Sequence, residues 1–136
     1  MTRAFLLVVI AALAPQVATA HVVRHSSIPE AYWGRWAPVE TDCRDNKSVI
    51  TLSANAYAGP AGSCTVEYVS ETSGPSGAIY SARLECHGSG GPSEKKMIIN
   101  LIFRSADAGQ ILVGPTFESL AAHRRCSATG PAAKQQ

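Results

Sequence analysis

Two alternating runs in the middle of the chain limit its possible folds more than any other feature. Residues 64–71 and 78–87 alternate apolar with polar side chains, and the segment Ser-Gly-Pro-Ser-Gly joins them at 73–77. A period of two indicates half-buried strands, and a short connection rich in glycine and proline indicates a hairpin. The sequence therefore predicts two antiparallel strands as the centre of the fold.

The register of this hairpin follows from its side chains when paired residue numbers sum to 150. This pairing gives the hairpin one apolar face. On its polar face Glu67 lies opposite Arg83, an opposite-charge pair of the kind that stabilises sheets. A slip of one residue would turn the apolar side chains toward solvent, so we expect this register and a disulfide between its two cysteines. The predicted pairs on the apolar face are Cys64 with Cys86, Val66 with Leu84, Tyr68 with Ala82 and Ser70 with Tyr80.

The first 20 residues have the pattern of a secretory signal peptide. Arg3 supplies an early positive charge, residues 4–14 are apolar, and the small residues Ala18 and Ala20 flank Thr19 at the expected cleavage site. The apolar run is shorter than the roughly 20 residues that a membrane-spanning helix needs. We expect residues 1–20 to be removed and the mature chain to be periplasmic or secreted, not membrane-spanning.

The four cysteines all follow that segment. An even number of cysteines in an oxidising compartment indicates disulfides. Their spacings of 20, 21 and 39 intervening residues lack the close C-x-x-C pairs of a zinc site. With Cys64 assigned to Cys86, the second predicted bridge joins Cys43 to Cys126, and it would tie the end of the first strand to the last strand.

The length and charge of the mature chain fit one small domain. Removing 20 of 136 residues leaves 116, and losing Arg3 lowers the formal charge from +2 to +1. A chain of this length buries roughly two thirds of its unfolded surface. Because it lacks a concentrated basic face, we expect no nucleic-acid partner.

The remaining residues predict further short strands with tight turns between them. A first strand is expected over residues 28–38, with Trp36 in the core. A strand over residues 95–104 returns through a turn at 107–109, and the predicted pairs are Phe103 with Ile111 and Leu101 with Val113. Residues 117–122 fit either one helical turn capped by Thr116 or the lead into a last strand.

We count about seven or eight strands and no βαβ alternation, which favours an all-β fold. A small antiparallel up-and-down barrel over residues 28–126 is the preferred architecture, because closure removes exposed sheet edges. Residues 21–27 are predicted to be a mobile N-terminal arm, and residues 127–136 a disordered tail.

The tripeptide Gly34-Arg35-Trp36 resembles the G-x-W signature that opens the first strand of lipocalin-like barrels. In such barrels an arginine of the last strand usually covers the tryptophan ring. The resemblance implies this role for Arg124 or Arg125, whose cationic group would lie over the indole.

The predicted export, the short barrel and the disulfide also resemble bacterial periplasmic inhibitors of secreted metalloproteases such as alkaline protease. In those inhibitors an N-terminal arm enters the protease cleft. The resemblance implies that His21, Val22 and Val23 contact a partner. Trp33 lies on the strand face opposite Trp36 and either covers the barrel end or binds a partner, since tryptophan is frequent in binding hot spots.

Two further patterns suggest chemistry. The amine and imidazole of a mature N-terminal His21 could chelate copper, with His25, His87 or His123 as a second histidine. The other positions show no metal-ligand spacing, so a solvated arm is the preferred interpretation. Ser89, beside glycines and a histidine, lacks the fixed base and oxyanion hole of a serine nucleophile.

Carboxylates offer no better case for catalysis. Glu67, Glu71 and Glu85 alternate along the central hairpin and are predicted to face solvent. We therefore assign no catalytic residues and no cofactor.

The sequence thus predicts an exported binding module that is not an enzyme. Its expected partner is another envelope or secreted protein, for example a protease that it inhibits. The alternatives are a carrier of a small apolar ligand in the barrel interior and copper binding through His21; the oligomeric state is left open.

Overall fold

The computed structural model describes residues 14–15, 19, 21–88 and 95–126. Most of the predicted signal peptide, the whole predicted tail and Ser89 lie outside these residues. Within the described part of the chain, no helix has the length and apolar character needed to cross a membrane.

The described residues form a closed barrel of eight antiparallel strands and one extra strand. The strands are β1 Val23–His25, β2 Gly34–Pro38, β3 Ile50–Leu52, β4 Ala56–Gly59, β5 Gly62–Gly74, β6 Gly77–His87, β7 Met97–Ser105, β8 Ile111–Gly114 and β9 Ala121–Arg125. From β2 to β9 each strand pairs with the next along the chain, and β9 pairs with β2. The extra strand, β1, pairs with β5. The predicted all-β barrel is confirmed, and so are both disulfides.

Side chains from strands β2 to β8 fill the barrel interior. Trp36 is 2% exposed and Phe103 is completely buried, so the prediction that Trp36 belongs to the core is confirmed. A segment before β2 also contributes, because Ile28 and Tyr32 join the same cluster. The largest fully buried side chains are those of Trp36, Phe103, Ile28, Leu52, Leu84, Val69 and Cys86.

The first barrel strand is shorter than the sequence predicted. Glu30–Tyr32 forms a 3-10 turn, and the strand begins only at Gly34. Gly34 has a φ of +123°, and a Cβ added there would lie 2.8 Å from Nη1 of Arg125. A residue without a side chain is therefore required where the turn enters the strand.

The central hairpin keeps the predicted register at one end and departs from it at the other. Cys64 faces Cys86, and Val66 faces Leu84, as predicted. A β-bulge between Val66 and Tyr68 then shifts the pairing by one residue. The predicted pairs of Tyr68 with Ala82 and of Ser70 with Tyr80 are therefore wrong. The observed pairs beyond the bulge include Tyr68 with Arg83, Val69 with Ala82, Ser70 with Ser81 and Glu71 with Tyr80.

The β7–β8 hairpin is also displaced from its predicted register, in this case by two residues. Phe103 pairs with Val113, and Ser105 pairs with Ile111. The observed pairs are centred on residue 108, the middle of the 3-10 turn at Asp107–Gly109, whereas the predicted pairs were centred on residue 107. A shift of two residues preserves the face of each side chain, so Phe103 and Val113 still point into the core.

The segment that the sequence left ambiguous contains both predicted structures. Phe117–Ser119 forms a single 3-10 turn, and the side chains of Thr116 and Ser119 form a reciprocal capping box. The last strand, β9, follows at Ala121.

The loop after β2 is held against the barrel by the second disulfide, Cys43–Cys126. Nη2 of Arg124 donates a hydrogen bond of 2.7 Å to the carbonyl oxygen of Thr41. Nη2 of Arg35 donates one of 3.2 Å to the carbonyl oxygen of Cys43. These contacts place the loop alongside β2 and β9, whose pairing closes the barrel.

Candidate functional site

The bulge in β5 turns a carboxylate into the barrel. Beyond the bulge Val69 is completely buried, and Glu71, two residues further on, shares its face. The prediction that Glu71 faces solvent is therefore wrong. Glu67, at the bulge itself, remains outside and pairs with Nε of Arg83 at 2.7 Å, as predicted.

Glu71 is paired with a histidine of β1. Nε2 of His25 lies 2.6 Å from Oε2 of Glu71, and the two side chains are 37% and 31% exposed. The pairing of β1 with β5 brings them together, because His25 lies opposite Val69, and Val23 opposite Glu71. The contact gives the partly buried Glu71 carboxylate a hydrogen-bond partner within the chain.

Three aromatic rings adjoin this contact between His25 and Glu71. Tyr80 stacks on Phe103 with ring centroids 5.4 Å apart, and Tyr32 meets both rings edge-on. The ring of His25 lies 6.3 Å from that of Tyr80. The hydroxyls of Tyr32 and Ser105 are 3.0 Å apart. We name the six residues the mouth cluster: His25, Tyr32, Glu71, Tyr80, Phe103 and Ser105.

The electrostatics of the mouth cluster act most clearly on Tyr80. Burial raises the pKa of its phenol above the usual value, and the nearby Glu71 carboxylate and Tyr32 raise it further. The phenol therefore stays protonated at neutral pH. The imidazole of His25 contacts the Glu71 carboxylate, and its centre lies 6.3 Å from that of the Tyr80 ring.

On its opposite face, β1 makes a cation–π contact with β5. Arg24, which pairs with Ser70, places its guanidinium carbon 4.1 Å from the centre of the Tyr68 ring. Tyr68 points outward because the bulge has moved Val69 to the core face. Two consecutive residues of β1 therefore carry basic side chains to two cation-binding groups of β5.

The residues predicted to contact a partner lie in and around β1. His21 is exposed, and Val22 and Val23 are 56% and 40% exposed. The prediction of a mobile arm over 21–27 needs correction, because Val23–His25 pairs with β5 instead of extending from the barrel.

Trp33 directly follows the 3-10 turn that precedes β2. It is 38% exposed, yet its indole nitrogen donates a hydrogen bond of 2.8 Å to the carbonyl oxygen of Ile28. The ring is thus fixed in place while part of its surface faces solvent.

The structure places Arg125, and not Arg124, over the tryptophan of the G-x-W tripeptide. The guanidinium carbon of Arg125 lies 4.2 Å from the centre of the Trp36 ring. The same guanidinium donates hydrogen bonds to the carbonyl oxygens of Trp33 and Ala31. Arg125 therefore connects the last strand to the 3-10 turn that precedes β2.

The four histidines have separate surroundings. His25 contacts Glu71, and Nε2 of His87 lies 3.5 Å from Oε1 of Glu85. His123 is buried and contacts the carbonyl oxygen of Ala121 through Nδ1. In residues 21–88 and 95–126 no three His, Cys, Asp or Glu side chains are grouped to hold a metal ion.

A surface depression of about 350 Å³ lies on the outside of the barrel. It extends over β3 to β6, and small, mainly exposed side chains such as Thr51, Ala58 and Ser63 line it together with His87. The barrel interior, by contrast, is occupied by the core side chains. A small apolar ligand would have to displace them.

Sequence reasoning missed the mouth cluster because it continued the period of two through the bulge. The signal was present in the spacing of Val66 and Val69, which are three residues apart and cannot share a face of a regular strand. Tyr68 and Val69 are adjacent in the sequence, and both have side chains suited to the core. The pattern alone therefore did not indicate which one faces the core.

No protein-family model, curated protein or solved structure matches the chain.

Proposed function

We propose that the chain is an exported barrel that binds another protein through residues 21–33 and catalyses no reaction. One observation supports this most strongly: the segment exposes Val22, Val23 and Trp33 while Ile28 and Tyr32 are buried in the core. The Trp33 ring is already fixed by its hydrogen bond to Ile28, so it loses little entropy when a partner binds. Tryptophan is also enriched in binding hot spots.

The two disulfides support an oxidising location, so we place the mature chain in the periplasm or outside the cell. The resemblance to inhibitors of secreted metalloproteases makes a protease of that class the first partner to test. The filled interior and the separate histidines give less support to an apolar-ligand carrier or to copper binding.

The test is a titration of secreted metalloproteases, including alkaline protease, with the mature chain, followed by calorimetry and by loss of proteolytic activity. We expect a complex with at least one protease. Trp33→Ala and Val22→Ser should each weaken it about tenfold or more, which corresponds to about 1.4 kcal/mol.

Met97→Ser is the matched control, because Met97 is 54% exposed but lies on β7. Its affinity should equal that of the unmodified chain. Equal weakening by all three substitutions, or no complex with any protease, would count against a binding role for residues 21–33.

A further inference from the structure

We propose that β5 carries a recognition site for an extended basic segment of a partner protein, and that β1 is the built-in and exchangeable occupant of this site. The inference rests on the proposed function, because it names the class of segment that a protein partner would present. It also assigns the binding of that segment to the backbone of β5, the Glu71 carboxylate and the Tyr68 ring.

The backbone of β5 supplies the first part of the site. One side of this 13-residue strand pairs with β6 along nearly its whole length. On the other side β4 pairs only with residues 62–65, and β1 pairs with residues 69–71. Without β1, the second stretch would expose unpaired backbone N–H and C=O groups, which is how sheet edges bind extended peptides.

Two side chains of the barrel supply the specificity. Glu71 presents a half-buried carboxylate on the inner face, and Tyr68 presents a ring on the outer face. A bound strand fills both only if it carries basic side chains at two consecutive positions, because successive side chains point to opposite faces. An apolar or acidic strand would leave the Glu71 carboxylate without a partner.

β1 is suited to exchange because it is held weakly. It has only three residues, none of them buried, and Ser26 and Ser27 connect it to the buried Ile28. Segments with few buried apolar contacts open at low free-energy cost. The strand beneath β1 is also held from its other side, since the backbones of Val69 and Glu71 pair with β6 and Tyr80 stacks on Phe103.

The experiment uses a fluorescent peptide with the sequence of residues 21–27, His-Val-Val-Arg-His-Ser-Ser, and the mature chain. A double variant, Arg24→Ser with His25→Ser, removes the two contacts of β1 and vacates the site. We expect it to bind the peptide about tenfold more tightly than the unmodified chain, because an attached competitor acts at an effective concentration in the millimolar range. A peptide with serine in place of its arginine and second histidine should not bind.

Matched substitutions in the double variant locate the site. Glu71→Gln or Tyr68→Ala should weaken peptide binding about tenfold. Glu67→Gln should leave it unchanged, because this carboxylate lies outside the barrel and pairs with Arg83. Equal effects of Glu71→Gln and Glu67→Gln, or equal affinity of the double variant and the unmodified chain, would overturn the proposal.

A second measurement uses the unmodified chain and does not depend on how the double variant folds. Excess peptide should accelerate amide hydrogen exchange at residues 23–25, because it displaces β1, and unchanged exchange would overturn the proposal. Protease binding that requires Trp33 while the peptide fails to bind would remove this inference and leave the proposed function intact. Peptide binding without any protease complex would remove the proposed function and leave the peptide site on β5 intact.

Discussion

At the scale of single residues, two basic side chains connect distant parts of the chain. Arg125 links the last strand to the turn before β2, through the Trp36 ring and two carbonyl oxygens. His25 links β1 to β5 through the Glu71 carboxylate. In both cases a charged or polar group at the barrel end lies beside an aromatic ring.

Replacing Arg125 with methionine should destabilise the barrel while keeping a long side chain over Trp36. The loss of a cation–π contact and two hydrogen bonds at a partly exposed site is expected to lower the free energy of unfolding by about 1–2 kcal/mol. Urea denaturation followed by tryptophan fluorescence measures this change. Arg44→Met is the control, because the Arg44 side chain is 92% exposed, and its effect should be close to zero.

The raised pKa of Tyr80 gives a prediction for alkaline pH. In the unfolded chain the phenol releases its proton near the ordinary tyrosine pKa of 10.0, whereas in the folded chain it keeps the proton to higher pH. The folded state then binds more protons, so stability falls as the pH rises from 10.0 through the folded pKa. Tyr80→Phe should remove this component of the pH dependence measured by urea denaturation.

The same phenol reports on its carboxylate neighbour. Glu71→Gln should lower the pKa of Tyr80 toward its usual value, because it removes a negative charge that opposes ionisation. An NMR titration of the tyrosine ring signals measures the shift. An identical shift in Glu67→Gln would show that the effect is not local to the mouth cluster.

At the scale of secondary structure elements, the bulge in β5 decides which side chains enter the barrel. Alternation, the Glu67–Arg83 pair and the two cysteines correctly predicted the pairs from Cys64 to Val66. They did not place the extra residue, because either Tyr68 or Val69 could follow Val66 on the core face, and the choice depends on the curvature of the closed barrel. The mouth cluster depends on that extra residue, which is why the sequence did not predict it.

Substitutions on either side of the bulge distinguish the observed register from the predicted one. Val69→Ala should cost about 2 kcal/mol, since it removes a completely buried side chain from the core. Tyr68→Ala should cost about 1 kcal/mol or less, because Tyr68 lies on the outer face and mainly loses its contact with Arg24. Thermal denaturation of the two variants measures the difference. A larger loss for Tyr68→Ala would support the regular register.

At the scale of the whole molecule, the pairing of β2 with β9 closes the barrel, and the Cys43–Cys126 disulfide lies beside that closure. The turns, the short alternating runs and the four cysteines were enough to predict an all-β barrel and both bridges. The position of residues 21–33 was not predictable, because it depends on contacts with β5, β7 and β9 that are distant in sequence.

The two disulfides should contribute unequally to stability. In the chain-entropy description, a bridge between residues 83 apart stabilises by about 1 kcal/mol more than one between residues 22 apart. Replacing Cys43 and Cys126 together with alanine should therefore lower the free energy of unfolding more than replacing Cys64 and Cys86. Urea denaturation of the two double variants measures the difference, and the reverse order would contradict this expectation.

The placement of β1 on β5, with His25 against Glu71, is the feature on which the account of the site depends. Nuclear Overhauser spectroscopy of the mature chain tests it most directly, since His25 is close to Tyr80 and Arg24 lies opposite Ser70. We predict cross-peaks between the His25 and Tyr80 ring protons and between the backbones of Arg24 and Ser70. Random-coil shifts for residues 23–25 without these cross-peaks would contradict the account.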